Sequence, residues 1–453
     1  MEISSKCSCE EKAASIRKLA LSQPESPTVI DLDAIFFSSL NEELVVEILL
    51  RLPRTESARY QLVCKRWYSL ISSHYFIGRS SPFNHTIVFQ FEYNCKCSCN
   101  SPPCRPISHS SLKLFSSDPS SDHSLLLQVY GKHDIKLSYL PCPPQRLHKI
   151  RLVGAFADLI LCYYYSTTPI PHTTLKKKQI NYYVSNLLTR QWIPLRPVGD
   201  SRDDAAVGFL CLPPSSSESC NSRYNRFIVV RIPYVMRPTR PEVEVQVFSS
   251  EEGRWRRRFV SSPLPSRSYN ISRPLVAYRG LLHWLKTDCI AVYDPLNSPK
   301  RFSRIIPLPT QSPDFPSEGT TGCFGICQDR IRVSRKTRVG TLVLHVWELE
   351  DYDSGLWKLV HKVVLQSILS QVSHFADDGW VGSRAFCVLY FDPKNGDDVY
   401  FSMCNSILCV DIKRGIIKHH RSICPAPASV WSWRNTFHLD NHWCPTHVSS
   451  FQH

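Results

Sequence analysis

The 453-residue chain is expected to be mainly β with a small α module: a unit of three short helices near the N-terminus, followed by a β-propeller of about six or seven blades. Three observations predict this. Apolar residues between 40 and 76 recur at helical spacing, interrupted by a proline. From about residue 84 the pattern turns into alternating aromatic and β-branched runs broken by Pro, Ser, Asn and Gly, the mark of many short strands. Within that stretch one strand–turn–strand unit returns at intervals of roughly 45–65 residues, near the spacing at which repeated sheets stack radially.

The helical unit reads LNEELVVEILLRLPRTESARYQLVCKRWYSLISSHYF over residues 40–76. Leu44, Ile48 and Leu52 recur every fourth residue, which stacks their side chains on one helical face. Asn41 is placed to cap this helix, and Glu42 and Glu43 fall in the first turn, where the helix dipole favours negative charge. Leu40 and Val45 stand at the positions of a hydrophobic staple. Pro53 ends the helix, because the residue before a proline avoids helical backbone. Val63, Trp67, Leu70 and Ile71 mark a further helix, and residues 54–61 leave room for about two turns between them. A unit this small has little interior of its own. The plain alternative is a helical hairpin packed on a larger core.

The order of residues goes further than the periodicity. Leu40, Leu44, Glu47-Ile48-Leu49 and Arg51-Leu52-Pro53, followed by Val63-Cys64-Lys65, Trp67 and Leu70-Ile71, resemble the plant F-box. The resemblance implies docking onto a Skp-type adaptor, and through it a cullin, with contacts at Leu40, Asn41, Leu44, Ile48, Leu52, Pro53, Ser57, Val63, Cys64 and Trp67. Two positions depart from the family: Asn41 stands where proline is usual, and Ser57 where leucine is usual. Losing one buried leucine removes about 1.5–3 kcal/mol of apolar burial, or about ten- to hundredfold in affinity. Adaptor binding is therefore expected to be weakened rather than lost.

The propeller expectation rests on recurring copies. INYYVSNLLTRQWIPL (180–195), VEVQVFSSEEGRWRRR (243–258), CIAVYDPLNSPKRFSRIIPL (289–308) and LHVWELEDYDSGLWKLVH (344–361) share a strand, a polar turn and a strand opening on an aromatic residue. ILCVDIKRGIIKHH (407–420) is a degenerate copy, and LLLQVYGKHDIKLSYL (125–140) a weak one. Such a unit cannot bury its own apolar face and needs neighbours; the alternative is an irregular pair of β-sandwiches. SNLLTRQW, VFSSEEGRW, GLLHWL, AVYDP and VWELEDYDSGLWKL resemble the plant F-box-associated domain, whose turn has a proline where Leu187 stands. That substitution is expected to loosen the turn.

Composition narrows the rest. With 43% hydrophobic residues the chain can build a large core, and no run approaches the ~18 apolar residues of a membrane span. Residues 1–36 read as a disordered tail without a signal peptide's apolar segment, so cytoplasm, nucleus or both are expected. The domains expected are the F-box at 37–77 and the propeller at 84–445, joined by a short linker that favours a fixed orientation. The 19 cysteines are scattered and read as buried thiols. The net charge of +15 raises nucleic acid as a partner. Its dense clusters are Lys176–Lys178 and Arg254, Arg256, Arg257 and Arg258 around Trp255. Strand alternation puts Trp255 and Arg257 on one face and Arg254, Arg256 and Arg258 on the other, a solvated strand face rather than a phosphate track.

Two stretches carry metal-ligand residue types: Cys95, Cys97, Cys99 and Cys104, and His438, His442, Cys444 and His447. Cys-x-Cys is not the usual zinc-knuckle spacing, although strand alternation puts Cys95, Cys97 and Cys99 on one side, where thiolates could hold zinc. Pro445 and its surroundings argue against a helix for the second stretch, and no metal and no cofactor are assigned. His283 reads as a packed core histidine, and Glu348, Glu350, Asp351 and Asp353 as a solvated hairpin. No nucleophile elbow, P-loop or dinucleotide fingerprint is present, and no catalytic residue is assigned. The resulting expectation is a substrate-recognition adaptor of a Skp–cullin–F-box ubiquitin ligase, presenting an unknown target on the propeller. Its rivals are a propeller scaffold with a degenerate F-box and a basic anion- or nucleic-acid-binding protein.

Overall fold

A computed structural model describes residues 40–52, 60, 63–71, 73, 76, 85–95, 107–116, 134–135, 137–143, 150–169, 176–187, 189–198, 205–212, 226–233, 242–261, 275–312, 315, 320–339, 341–371, 386–403, 406–422 and 431–440. The chain divides into two compact units, Met1–Arg79 and Ser80–His453.

In the first unit, α1 spans Glu42–Arg51 and α2 spans Lys65–Ile71. The Asn41 side chain accepts from the Glu43 backbone N–H at 3.3 Å, and Val45 N–H closes the first turn onto the Asn41 carbonyl at 3.1 Å, as the capping pattern predicts. Val45, Val46 and Leu49 on α1, Leu70 and Ile71 on α2, and Phe76 beyond it are the buried apolar residues described in this unit. Pro53 and Ser57, and with them the expected middle helix, lie outside the described residues, as does the 77–84 linker.

The second unit is built from β1 (His85–Cys95), β2 (Ile107–Ser116) and β3 (Asp134–Ile135), then twenty further strands before the last. These are β4 (Arg151–Phe156), β5 (Leu159–Pro169), β6 (Lys176–Asn186) and β7 (Trp192–Pro194); β8 (Ala205–Leu212), β9 (Arg226–Pro233), β10 (Glu242–Ser249) and β11 (Arg254–Ser261). There follow β12 (Val276–Tyr278), β13 (Leu281–Leu285), β14 (Cys289–Tyr293) and β15 (Arg304–Pro307); β16 (Thr320–Cys327), β17 (Arg330–Val339), β18 (Thr341–Asp351) and β19 (Leu356–Val364). After a short α3 (Gln366–Leu369) come β20 (Phe386–Phe391), β21 (Asp398–Met403), β22 (Ser406–Asp411) and β23 (Ile416–Ser422), and finally β24 (Trp431–Asp440).

Among the described residues these form six four-stranded antiparallel sheets. Five are blades of four consecutive strands; the sixth is composite, in the order β24-β1-β2-β3. The expected count of about six or seven blades is corrected accordingly: five blades are contiguous in sequence, one further sheet is closed by strands from both ends, and no seventh appears among the described residues. The reason is visible in the contacts of the first strands. β4, β8, β12, β16, β20 and β24 touch one another in turn, and β24 returns to β4, so the last described strand closes the ring.

Each recognisable copy in the sequence is the third and fourth strand of a contiguous blade: β6–β7, β10–β11, β14–β15, β18–β19 and β22–β23. The weak copy at 125–140 lies mostly outside the described residues. Each gap between neighbouring sheets is filled by one apolar layer. Along β8, Val207, Phe209 and Cys211 face the layer shared with β5 and β6, while Ala206 and Leu210 face the layer shared with β13 and β14. Both faces of this sheet are therefore buried, as radial stacking requires. Close approach near the axis needs glycine: a Cβ on Gly154 of β4 would lie 2.7 Å from Phe209 Cβ on β8.

Candidate functional site

On α1 the sequence folds into two adjacent apolar stripes with different fates. Val45, Val46 and Leu49 turn inward, while Leu44 and Ile48, each one residue before an inward one, stay 54% and 43% exposed. A ten-residue helix with six apolar side chains spread over its sequence cannot hide them all in so small a unit. Val63 precedes α2 rather than lying on it, and is 60% exposed. Cys64, also exposed, sits just before α2; its Sγ accepts from the Trp67 N–H at 3.5 Å, the role of an N-cap. Trp67 is half-buried rather than a core residue, its ring 5.2 Å from that of Tyr60. Leu40 and Leu52 are half-buried, and Arg66 of α2 donates to the Leu40 carbonyl, tying the two helices together.

Of the predicted contact residues, Asn41, Leu44, Ile48, Val63 and Cys64 thus stand exposed and Leu40, Leu52 and Trp67 partly so. Tyr68, 40% exposed, belongs with them and was missed; its signal was its place one residue after Trp67, outside the inward stripe. The large exposed side chains described in this unit, Leu44, Ile48, Val63 and Tyr68, offer apolar contact.

In the second unit, the six ring strands enclose an axial cavity of about 450 Å³, lined among others by Gly154, Phe209, Ala277, Phe324, Tyr390 and His438. The tryptophans of the repeat join blades. Trp255 on β11 packs on Phe248 and on Tyr182 of the preceding blade, and its Nε1 donates to the Arg196 carbonyl at 2.7 Å. Trp357 on β19 donates likewise to the Pro307 carbonyl at 2.8 Å. Phe302, which stands for tryptophan in the third copy, packs instead against Trp284 and Tyr293. The turn after β6 is held by Asn186, whose side chain accepts from Thr189 N–H and donates to Asp158 at 2.8 Å. Leu187 is buried there, so the missing proline is offset by apolar packing.

Three arginines of the 254–258 stretch face glutamates. Arg254 and Arg256 reach Glu252 at 3.5 and 2.5 Å, and Arg257 reaches Glu244 at 2.9 Å. Arg254 and Arg256 share one carboxylate, so the stripe is partly neutralised. Glu348 is paired with Arg332 at 2.6 Å, Glu350 with Lys358 at 3.8 Å and Asp353 with Arg304 at 3.4 Å. Hydrogen bonds from Ser354 and the Asp353 N–H hold the Asp351 carboxyl below its usual range. His283 is fully buried, and burial lowers its pKa to about 4. Burial also pushes the Cys289 and Cys409 thiols up to about 12, as for inert core cysteines.

Among the described residues no cluster of His, Cys, Asp and Glu has the arrangement of a metal site, and no helix is long and apolar enough to cross a membrane. Cys97, Cys99, Cys104, His442, Cys444 and His447 lie outside the described residues.

Comparison with known proteins agrees with both units. Residues 37–77 match the model of the F-box domain, and residues 148–379 match that of the At3g26010-like F-box protein β-propeller. The chain is 29% identical over 351 residues to the Arabidopsis thaliana putative F-box/kelch-repeat protein At1g15680, covering 72% of this chain and 73% of that one. It is 25% identical over 351 residues to the putative F-box protein At3g23950, with the same coverage. Over 339 residues it is 24% identical to the F-box protein At5g49610, covering 72% of this chain and 79% of that relative, both relatives again from Arabidopsis thaliana.

Proposed function

Since the chain belongs to the plant F-box proteins with an At3g26010-like β-propeller, we propose that it is a non-enzymatic substrate-recognition subunit of a Skp–cullin–F-box ubiquitin ligase. The F-box at 37–77 docks on a Skp-type adaptor and through it reaches a cullin; the propeller at 84–445 holds a target protein. The observation that carries this reading is the outward apolar pair Leu44 and Ile48 on α1, with Val63 also exposed, on a unit whose described interior is made by other residues. Exposed apolar side chains grouped this way mark a partner surface. The mechanism is proximity: a target held near a charged ubiquitin-conjugating enzyme reacts in an effectively unimolecular step.

Leu40, Asn41, Leu52, Pro53, Ser57, Cys64 and Trp67 complete the proposed adaptor contacts, and the complex works in the cytoplasm, the nucleus or both. Loops on a rigid scaffold supply target contacts, and the propeller offers such loops at both ends of its strands. The partial pairing of the arginine stripe with Glu244 and Glu252 weighs against the basic nucleic-acid reading. Co-purification of the full chain with a plant Skp-type adaptor tests the proposal. Capture that Ile48→Asp abolishes supports it; no capture by the wild type refutes it.

A further inference from the structure

We propose that the propeller carries a preformed anchor for an acidic segment of its target, the guanidinium of Arg279. The proposal rests on the reading of the propeller as the target-binding unit and adds the chemistry of what it binds. Arg279 and Gly280 form the two-residue turn between β12 and β13, with φ of +49° and +73°. Asn-Gly or Asp-Gly suits such a turn; a long cation there sacrifices local preference. The turn follows Ala277, which lines the axial cavity together with Asp329, so Arg279 stands beside one mouth of the channel.

The side chain is held from two blades. Its guanidinium carbon lies 5.1 Å from the ring centroid of Tyr278 and 5.3 Å from that of Tyr352. Both rings are themselves fixed. The Tyr278 hydroxyl donates to the Asp329 carbonyl at 2.8 Å, and the Tyr352 hydroxyl shares a 2.9 Å hydrogen bond with His283 Nε2. A second guanidinium, that of Arg304, lies 5.2 Å from the Tyr352 ring and reaches Asp353 at 3.4 Å.

Arg279 is exposed, and among the described residues no carboxylate pairs with it. It differs in this from Arg254, Arg256 and Arg257, each already facing a glutamate. A guanidinium ordered on aromatic faces loses little freedom when it takes a carboxylate, and its planar fork matches that group in two parallel hydrogen bonds. The turn thus presents an oriented, uncompensated cation from a rigid frame, the complement of an Asp- or Glu-bearing peptide.

The test uses the full chain and a fluorescein-labelled glutamate-rich peptide, read by fluorescence anisotropy. Arg279→Asn removes the cation while suiting the turn better, so the fold survives, which an unchanged thermal melt confirms. Wild type is expected to bind the peptide; Arg279→Asn is expected to weaken it by about tenfold or more, the scale of one charge-assisted contact. Arg254→Asn, in the partly neutralised stripe, is expected to change binding by less than about twofold. Arg279→Lys is expected to restore only part of the affinity, since an ammonium lacks the stacked fork. No peptide binding by wild type, or equal losses in Arg279→Asn and Arg254→Asn, would overturn the proposal. So would tighter, Arg279-dependent binding of a single-stranded oligonucleotide, which would make the anchor a phosphate site. Adaptor capture measured on the same samples separates the two readings: its absence beside intact Arg279-dependent peptide binding sinks the ligase role and leaves the anchor standing.

Discussion

Replacing Arg332 with methionine removes the cationic half of a clasp between two blades. Arg332 on β17 is directly opposite Glu348 on β18. Its Nε and Nη2 reach one Glu348 oxygen at 2.7 and 2.6 Å, and the two side chains are only 6% and 12% exposed. Its Nη1 donates to the Gly396 carbonyl at 2.6 Å, in the turn between β20 and β21 of the next blade. Gly396 permits that approach, since a Cβ there would lie 2.9 Å from Nη2. Stranding one member of a buried pair costs about 3–5 kcal/mol. Here Arg330 remains 3.3 Å from Glu348, but its side chain is 48% exposed. Arg330 still partly neutralises the stranded carboxylate despite the screening of that exposed pair, so the expected loss is at the low end, about 3 kcal/mol. Removing the stranded charge as well, in Arg332→Met with Glu348→Leu, should recover about 2 kcal/mol of this, leaving mainly the orphaned Gly396 carbonyl. Urea unfolding followed by tryptophan fluorescence measures both variants beside the wild type. A single mutant within about 0.5 kcal/mol of wild type, or a double mutant less stable than Arg332→Met, would refute the reasoning.

Three further outcomes are expected. Gly154→Ala drives a Cβ to 2.7 Å from Phe209 Cβ and should cost about 1–3 kcal/mol, seen as a lower propeller melting temperature with the helical unit unchanged. His283 is held at a pKa of about 4 by burial, below the ordinary 6.5. The unfolded chain therefore takes up a proton first as pH falls, and stability is lost between about pH 6.5 and 4, by about 3 kcal/mol at this site. His283→Gln, compared with wild type in urea at pH 7 and pH 4, should show a smaller loss; an equal loss would mean the histidine is not buried neutral. Asn41→Ala removes the side-chain acceptor for the Glu43 N–H and should cost the helical unit about 1 kcal/mol, measured as faster amide exchange in α1 with the propeller strands unaffected.

What was legible in the sequence followed from which groups speak locally. Asn41, the paired glutamates and the apolar spacing of 44–52 announced α1 and its start, because caps and periodicity act within a few residues. The hairpins β10–β11 and β18–β19 were legible from turns that need glycine: Gly253 and Gly355 have φ of +63° and +73°. Hidden were the features made by distant residues. Spacing could not tell that Leu44 and Ile48 face outward while Val45 and Leu49 face inward, since both pairs keep the same interval. Closure of the ring by β24 was invisible, because its partners β1 and β4 lie hundreds of residues earlier and share no copy of the repeat. The pairing of the arginine stripe with Glu244 and Glu252 likewise needed the β10–β11 register. The Arg279 frame draws Tyr278, His283, Asp329 and Tyr352 from two blades, and no linear pattern connects them.

In the proposed complex the outward apolar side chains of the helical unit seat a Skp-type adaptor. Isothermal titration of the full chain with a purified plant Skp-type adaptor, beside Ile48→Asp and Val46→Ile variants, tests it most directly. Ile48 is exposed and Val46 buried, so Ile48→Asp is expected to abolish binding without unfolding α1, while Val46→Ile is expected to leave binding within about threefold of wild type. Adaptor binding that survives Ile48→Asp, or that wild type lacks altogether, would contradict it.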